Sequence, residues 1–193
     1  PYIKQTINLL EQIGYAATWK ENQIEIYFNS LKKVDFKVEA DWSAATFFLG
    51  MALNSKQCNL LLKKLSQNSI QGDVQQIKIF EKLGIKANFT ERGVQLLKTN
   101  SSLKQLREDL TNMPDVAQGL AIAAALKGVE VNLAGLKTLP KKESNRIEDL
   151  ATELRKLKFD VDTTNETLNI KGVPQFQSQL TIKTYNDHRM AMA

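Results

Sequence analysis

The run Lys141-Lys142-Glu143-Ser144-Asn145-Arg146 gathers three cations around one carboxylate, at the point where a strand pattern gives way to a helix pattern. A helix start offers unpaired amides and the positive end of its dipole, and Lys142 and Arg146 add full charges, so the run suits a phosphate or carboxylate group. It is read equally well as a solvated first turn, because clustered charges usually face water. Pro114-Asp115 sets a second carboxylate where a loop becomes a helix. Its plainer reading is that Asp115 caps backbone amides, since aspartate is among the best N-cap residues. Asn186-Asp187-His188-Arg189 makes a third helix entrance, with a guanidinium and the sole histidine, His188, the one side chain that ordinarily titrates near neutral pH. Together these residue types can hold anions and move protons. Other chemistries lack their ligands: one cysteine, Cys58, and one histidine build neither a disulfide framework nor a Cys/His zinc site. No GxGxxG run or Walker-type loop is present.

A repeat positions these residues. Leu10-Glu11-Gln12-Ile13-Gly14-Tyr15, Phe80-Glu81-Lys82-Leu83-Gly84-Ile85 and Leu154-Arg155-Lys156-Leu157-Lys158-Phe159 each end a segment with apolar residues at helical spacing. The first two stop at a glycine suited to a helix C-terminus. Two short alternating runs follow each: Ala17 to Trp19 and Ile24 to Phe28, Ala87 to Phe89 and Val94 to Leu97, Val161 to Thr163 and Leu168 to Ile170. Around polar turns these predict hairpins. Aspartates also recur at the heads of small-residue helices, Asp41, Asp115 and Asp187, spaced by 74 and 72 residues. The recurrence favours capping for all three. After the first two of these helices, Leu60-Leu61-Leu62 and Val129 to Leu133 predict strands. Ala117, Gly119, Ala121, Ala123, Ala124 and Ala125 give the second small-residue helix a slim body that surrounding sheets can bury closely. The expected fold is therefore α/β (α+β), made of repeated helix and strand units of about 70 residues and cut at both ends.

Composition is ordinary for a soluble globular protein and separates few functions. The chain has 193 residues, 42% hydrophobic and 24% charged, and no apolar run approaches the roughly 18 to 20 residues of a membrane span. The net charge of +5 comes mostly from lysines spread along the chain, as on solvated faces; the arginines are five, Arg92, Arg107, Arg146, Arg155 and Arg189. A small buried Cys58 and a reducing, cytoplasmic setting fit the cysteine usage. The chain opens on Pro1-Tyr2-Ile3 and closes on Arg189-Met190-Ala191-Met192-Ala193 inside a helix pattern, so both ends read as internal to a longer protein.

Taken in order, six motifs closely resemble successive motifs of the 5-enolpyruvylshikimate-3-phosphate (EPSP) synthase family. They are Pro1-Tyr2-Ile3, Asn68-Ser69-Ile70-Gln71-Gly72-Asp73, Pro114-Asp115, Lys142-Glu143-Ser144-Asn145-Arg146, Ala151-Thr152-Glu153-Leu154-Arg155-Lys156 and Tyr185-Asn186-Asp187-His188-Arg189-Met190-Ala191-Met192. The resemblance spans the whole chain. It implies two similar domains of three repeated units each, with residues 1–38 finishing the first domain and 39–193 giving two units and the start of a third in the second. It also implies transfer of the enolpyruvyl group of phosphoenolpyruvate to the 5-hydroxyl of shikimate 3-phosphate, without a cofactor or a metal. By resemblance, Asp115 is the proton acceptor and Glu143 a proton donor. Lys142 and Tyr2 lie by the shikimate phosphate, and Arg146 and Arg189 clamp phosphoenolpyruvate, with His188 beside them. The full-length protein is expected to be a monomer acting on small molecules, and the 193 residues alone to be inactive, because further family cations lie outside them.

Two positions depart from the family pattern: Asn145 stands where aspartate is usual, and Thr138 where a larger polar contact can occur. Asn145 with Glu148 three residues on makes a capping-box-like pair. The neighbouring alternative is UDP-N-acetylglucosamine enolpyruvyl transferase, against which the KESNR and NDHRMAM runs speak. A nucleic-acid-binding α/β module is the other; it calls for a basic stripe with exposed aromatics, whereas Trp19, Tyr27, Phe28, Phe47 and Phe48 fall mostly in core patterns.

Overall fold

Helical periodicity, glycine stops and alternation translate directly into elements. The computed structural model describes residues 2–176 and 178–193, so Pro1 of the first motif lies outside the described residues. Helix α1 (Tyr2–Gln12) ends near Gly14, at φ +104°, and leads into the hairpin β1 (Tyr15–Lys20) and β2 (Gln23–Phe28). Here an added Cβ would lie 1.7 Å from the Ser30 carbonyl oxygen, so only glycine fits. None of the α1 residues is buried, and Tyr27, Phe28, Leu31, Phe36 and Val38 are at least half exposed; the core placement expected of Trp19, Tyr27, Phe28 and Phe48 is not found, and of the five aromatics only Phe47 is buried.

The next two stretches repeat one plan. Helix α2 (Trp42–Asn54), strand β3 (Asn59–Lys63), helix α3 (Gln76–Leu83) and the hairpin β4 (Ile85–Thr90) and β5 (Gly93–Lys98) form the first. Strand β6 (Gln105–Asp109) links it to helix α4 (Ala117–Leu126), β7 (Glu130–Ala134), helix α5 (Arg146–Lys156), β8 (Asp160–Thr163) and β9 (Leu168–Lys171). Helix α6 (His188–Met192) then begins where α2 and α4 began in their units. All three hairpins form at the predicted places, with Tyr15 opposite Phe28, Ile85 opposite Lys98 and Asp160 opposite Lys171.

The sheets show the repeat again. One has the order β3-β5-β4 and the other β6-β7-β9-β8, so the pairing β3 with β5 matches β7 with β9, both antiparallel. Strand β6 is the addition: it runs parallel to β7, with Leu106 opposite Val131. It is not visible in the sequence, because within Gln105-Leu106-Arg107-Glu108-Asp109 only Leu106 is buried. The backbone of β7 supplies its hydrogen bonds, so pairing creates the strand where hydrophobic alternation does not.

A continuous core runs from Trp42 to Met190. Helices α2 and α4 pack against each other at its centre, with α4 enclosed through Ala117, Leu120, Ala121, Ala123, Ala124 and Ala125. Small residues permit that approach: a Cβ on Gly119 would sit 2.8 Å from Cγ2 of Thr46, and one on Gly50 3.2 Å from Cβ of Ala123. Large side chains such as Trp42, Phe80 and Leu120 fill the spaces left, each contributing about 1.5–3 kcal/mol through burial. Cys58 is half-buried against this core, with its Sγ 3.6 Å from the Leu96 carbonyl oxygen. Among the described residues no helix is long and apolar enough to cross a membrane.

Candidate active site at three helix entrances

Local chain geometry sorts the three recurring aspartates into two kinds. Asp41 and Asp187 are N-caps: Asp41 accepts from the Ser43 amide at 2.8 Å and Asp187 from the Arg189 amide at 2.8 Å. Asp115 does not cap, contrary to the plainer reading of the sequence. It lies inside the short 3-10 turn Pro114–Val116, which has no side-chain cap, and its carboxylate turns toward other segments. Asn145 caps α5 as expected, accepting from the Glu148 amide at 3.4 Å. The reciprocal half of a capping box is absent, since the Glu148 carboxylate instead accepts from the Thr163 hydroxyl.

Freed from capping, Asp115 becomes the meeting point of four segments. The Tyr2 hydroxyl on α1 donates to its Oδ2 at 2.7 Å. Nη1 of Arg146, at the start of α5, donates to Oδ1 at 3.0 Å, and Nζ of Lys142 lies 3.4 Å from the same oxygen. On α6, Nη2 of Arg189 lies 3.6 Å from Oδ2 while its Nη1 donates to the Asp115 carbonyl oxygen at 3.2 Å. The Lys142 ammonium also stands 5.4 Å from the centre of the Tyr2 ring, within cation–π range. Burial pushes the Asp115 carboxyl up, but the Tyr2 hydrogen bond and the charges of Arg189, Lys142 and Arg146 outweigh it and hold the group below the usual carboxylate range. Tyr2 is pushed the other way by its own burial and by Asp115, so its proton stays on the phenol.

Arg146 is the second hub, buried to 1% exposure. Its Nε and Nη2 fork onto Asp187 at 2.6 and 3.2 Å, its Nη1 meets Asp115, and its Nη2 reaches Oε2 of Glu143 at 2.5 Å. Three carboxylates around one guanidinium are affordable only because its donors radiate in a planar fork. Glu143 is the solvent-facing partner, its side chain 49% exposed, whereas that of Asp187 is fully enclosed. Burial again acts to raise Asp187, and the hydrogen bonds it accepts from Arg146 and from the Arg189 amide lower it by more.

The structure thus brings together Tyr2, Asp115, Lys142, Glu143, Arg146 and Arg189, residues spread from one end of the chain to the other. His188 stays out of the network around Asp115 among the described residues; its side chain is 64% exposed, with Nδ1 3.9 Å from Oδ1 of Asp187. Thr138 is exposed and makes no side-chain cap at its turn. Sequence reasoning missed Asp187 as an ion-pair partner, although it sits in the same motif as Arg189. It also missed Asp73, a buried carboxylate at the entrance of α3 that accepts from the Ser43 hydroxyl. Burial raises the Asp73 carboxyl, and nearby Asp115 adds to that rise. Among the described residues no group of three His, Cys, Asp or Glu is arranged to hold a metal ion. A groove of about 650 Å³ is lined by Lys37, Val38, Lys64, Ser66, Phe89 and Glu91 among others, none of which belongs to the charged cluster.

Comparison with known proteins places this arrangement in context. The family model described as EPSP synthase (3-phosphoshikimate 1-carboxyvinyltransferase) matches residues 1–193. A 3-phosphoshikimate 1-carboxyvinyltransferase of Bacteroides fragilis is 36% identical over all of this chain and 48% of its own length. A protein of the same name from Buchnera aphidicola subsp. Cinara cedri is 31% identical over all of this chain and 44% of its own. Among solved structures, an EPSP synthase of Acinetobacter baumannii aligns with a TM-score of 0.71 at 24% identity, covering 95% of this chain and 45% of that one, a likeness of fold. The chain spans about half the length of the curated relatives it matches.

Proposed function

The chain belongs to the EPSP synthase (3-phosphoshikimate 1-carboxyvinyltransferase) family, and from that premise we propose that the full-length protein moves the enolpyruvyl group of phosphoenolpyruvate onto the 5-hydroxyl of shikimate 3-phosphate. The product leads toward chorismate and the aromatic amino acids. The observation that carries the proposal is the convergence of Tyr2, Lys142, Arg146 and Arg189 on the Asp115 carboxylate from three separate segments, α1, the 142–146 run and α6. Such convergence has no local structural cause, since Asp115 caps nothing.

In the proposed reaction the 5-hydroxyl oxygen attacks C2 of phosphoenolpyruvate while Asp115 takes the hydroxyl proton and Glu143 delivers a proton to the methylene carbon C3. The C2–O bond to phosphate in the tetrahedral adduct then breaks, C3 returns a proton to Glu143 as the double bond reforms, and the departing phosphate carries away the proton held by Asp115. A carboxylate stabilised by three cations is a weak base. Anionic substrates that engage Lys142 and Arg189 remove part of that stabilisation, so Asp115 gains basicity when the site is filled. Lys142 and Tyr2 are assigned to the shikimate phosphate, Arg189 to phosphoenolpyruvate, and His188 to the exposed rim. Arg146 meets phosphoenolpyruvate through Nη2 once the half-exposed Glu143 swings away.

We further propose that residues 1–38 finish one domain and 39–193 form most of a second, supported by the absence of buried hydrophobic side chains before Trp42 among the described residues. The protein is read as a cytoplasmic monomer without a cofactor, a setting that the free thiol of Cys58 suits. The test is phosphate release by the full-length protein from phosphoenolpyruvate with each acceptor in turn. Release with shikimate 3-phosphate, none with UDP-N-acetylglucosamine, and none from the 193 residues alone are the expected results. Release with the nucleotide sugar in place of shikimate 3-phosphate overturns the reading.

A further inference from the structure

Two sequence motifs contain polar residues that the proposed chemistry does not use: Glu153 and Lys156 in Ala151-Thr152-Glu153-Leu154-Arg155-Lys156, and Tyr185 just before Asn186-Asp187-His188-Arg189. Glu153 lies on α5 and is 4% exposed, an unusual place for a carboxylate unless its oxygens are fully engaged. They are: Oε1 accepts from the Tyr185 hydroxyl at 2.7 Å, and Oε2 from Nζ of Lys156 at 2.6 Å and from the Lys183 amide at 3.0 Å. The same Lys156 ammonium donates to the Thr181 carbonyl oxygen at 3.0 Å. One carboxylate and its lysine therefore hold three points of the stretch that leads from β9 to α6.

That stretch needs holding. Among its described residues, 173–184 form neither helix nor strand, and most are exposed. It ends in two consecutive residues in the left-handed region, Tyr185 at φ +56° and Asn186 at φ +55°, a conformation that costs energy for a residue with a Cβ. The pair makes a tight turn, closed by the Asp187 amide donating to the Thr184 carbonyl oxygen at 2.9 Å. The turn sets the direction in which the chain enters α6. From it Asp187 reaches back to Arg146 and Arg189 reaches Asp115. Burial acts to raise Glu153, but the hydrogen bonds from Lys156, Tyr185 and Lys183 outweigh it and keep the group ionised, while the same contact pushes the Tyr185 phenol up to about 12. The clamp is thus a charged acceptor facing a phenol that keeps its proton.

We propose that Glu153 is a positioning residue, which locks the left-handed turn at Tyr185-Asn186 and so holds Arg189 and Asp187 in register with Asp115 and Arg146. Glu153 touches no substrate; it acts through the turn. The inference rests on the reading of Arg189 as a phosphoenolpyruvate ligand, and it assigns to the ATELRK motif a function on the site from the far end of α5.

The test uses the full-length protein with Glu153→Ala, Glu153→Gln and Tyr185→Phe. Misplacement of Arg189 is expected to raise the KM for phosphoenolpyruvate by about tenfold or more in Glu153→Ala while the KM for shikimate 3-phosphate changes far less. Glu153→Gln keeps an acceptor for one donor and is expected to recover part of the loss. Amide hydrogen exchange supplies a readout that needs no turnover: residues 183–190 exchange faster in Glu153→Ala and Tyr185→Phe, with β7 as protected as before. If Glu153→Ala does not fold, Tyr185→Phe, which removes a single hydroxyl, carries both measurements. Unchanged exchange across 183–190, or equal rises in both KM values, overturns the clamp. A wild-type protein that does not turn over these substrates overturns the proposed function, and the exchange result then decides the clamp alone.

Discussion

Replacing Arg146 by methionine removes the positive centre of the site while keeping an unbranched side chain in its place. In the structure that guanidinium is 1% exposed and holds Asp187 at 2.6 Å, Asp115 at 3.0 Å and Glu143 at 2.5 Å. Removing one partner of a buried ion pair costs about 3–5 kcal/mol, because the other charge is left enclosed without compensation. The three carboxylates do not contribute equally. Glu143 is half exposed and regains water, and Asp115 keeps Lys142, Arg189 and Tyr2. Asp187 is fully enclosed and, among the described residues, keeps the Arg189 amide, a long contact with the Ser144 hydroxyl at 3.4 Å and the exposed His188 ring at 3.9 Å. The expected loss at neutral pH is therefore a single penalty of about 3–5 kcal/mol, not three.

The pH dependence gives that argument a sign. In the wild type Asp187 is held below its ordinary value, so its stabilisation is present above the unfolded pKa of about 3.9 and is lost as pH falls through the lower folded value. Without Arg146, burial dominates and the folded value rises above the unfolded one, so acid now relieves the variant. The gap between the two proteins is thus largest near neutrality and narrows as pH falls through the carboxylate range. Urea unfolding of the full-length protein over that range measures it, with the midpoint shifting at constant slope. A loss below about 1 kcal/mol at neutral pH, the level of an exposed pair, or a gap that does not change with pH, would refute the reasoning. Arg146→Lys should fall between the two, since one ammonium cannot fork onto Asp187 and also reach Asp115.

Asp115→Asn keeps the shape of the site but removes the proposed proton acceptor, and phosphate release by the full-length protein should fall by about 10²- to 10⁴-fold. Asp41→Ala deletes the cap of α2 and should cost about 0.5–2 kcal/mol in urea unfolding. Gly93→Ala and Gly128→Ala separate steric from conformational cost. Gly93 has φ +142°, and a Cβ there would lie 2.1 Å from the Leu62 carbonyl oxygen; Gly128, at φ +79°, has nothing within 4 Å. The second should lose only the roughly 1–2 kcal/mol of a left-handed alanine, and the first clearly more. Equal losses in denaturant unfolding would contradict the β3 with β5 pairing.

The elements that sequence alone determined are those whose cause is local. The three hairpins follow from alternation around polar turns, the ends of α1 and α3 from Gly14 and Gly84, and the slimness of α4 from its alanines and Gly119; that its partner is helix α2 rather than a sheet was decided by the fold. Asp115, Lys142, Glu143, Arg146 and Arg189 stood out in the sequence as candidates, by charge at helix entrances and by their resemblance to the family's motifs. What they do to one another did not. Asp115 looked like a third cap beside Asp41 and Asp187, and only the approach of Tyr2, 113 residues away, and of Arg146, 31 residues away, shows its carboxylate turned elsewhere. Strand β6 exists because β7 offers it a backbone, and Glu153 is held ionised in the interior by Lys156 on its own helix together with Tyr185 and Lys183, which come to it across a turn. Periodicity and capping are properties of neighbouring residues, but the state of a buried charge depends on which distant groups folding brings to it, and that is decided only by the tertiary structure.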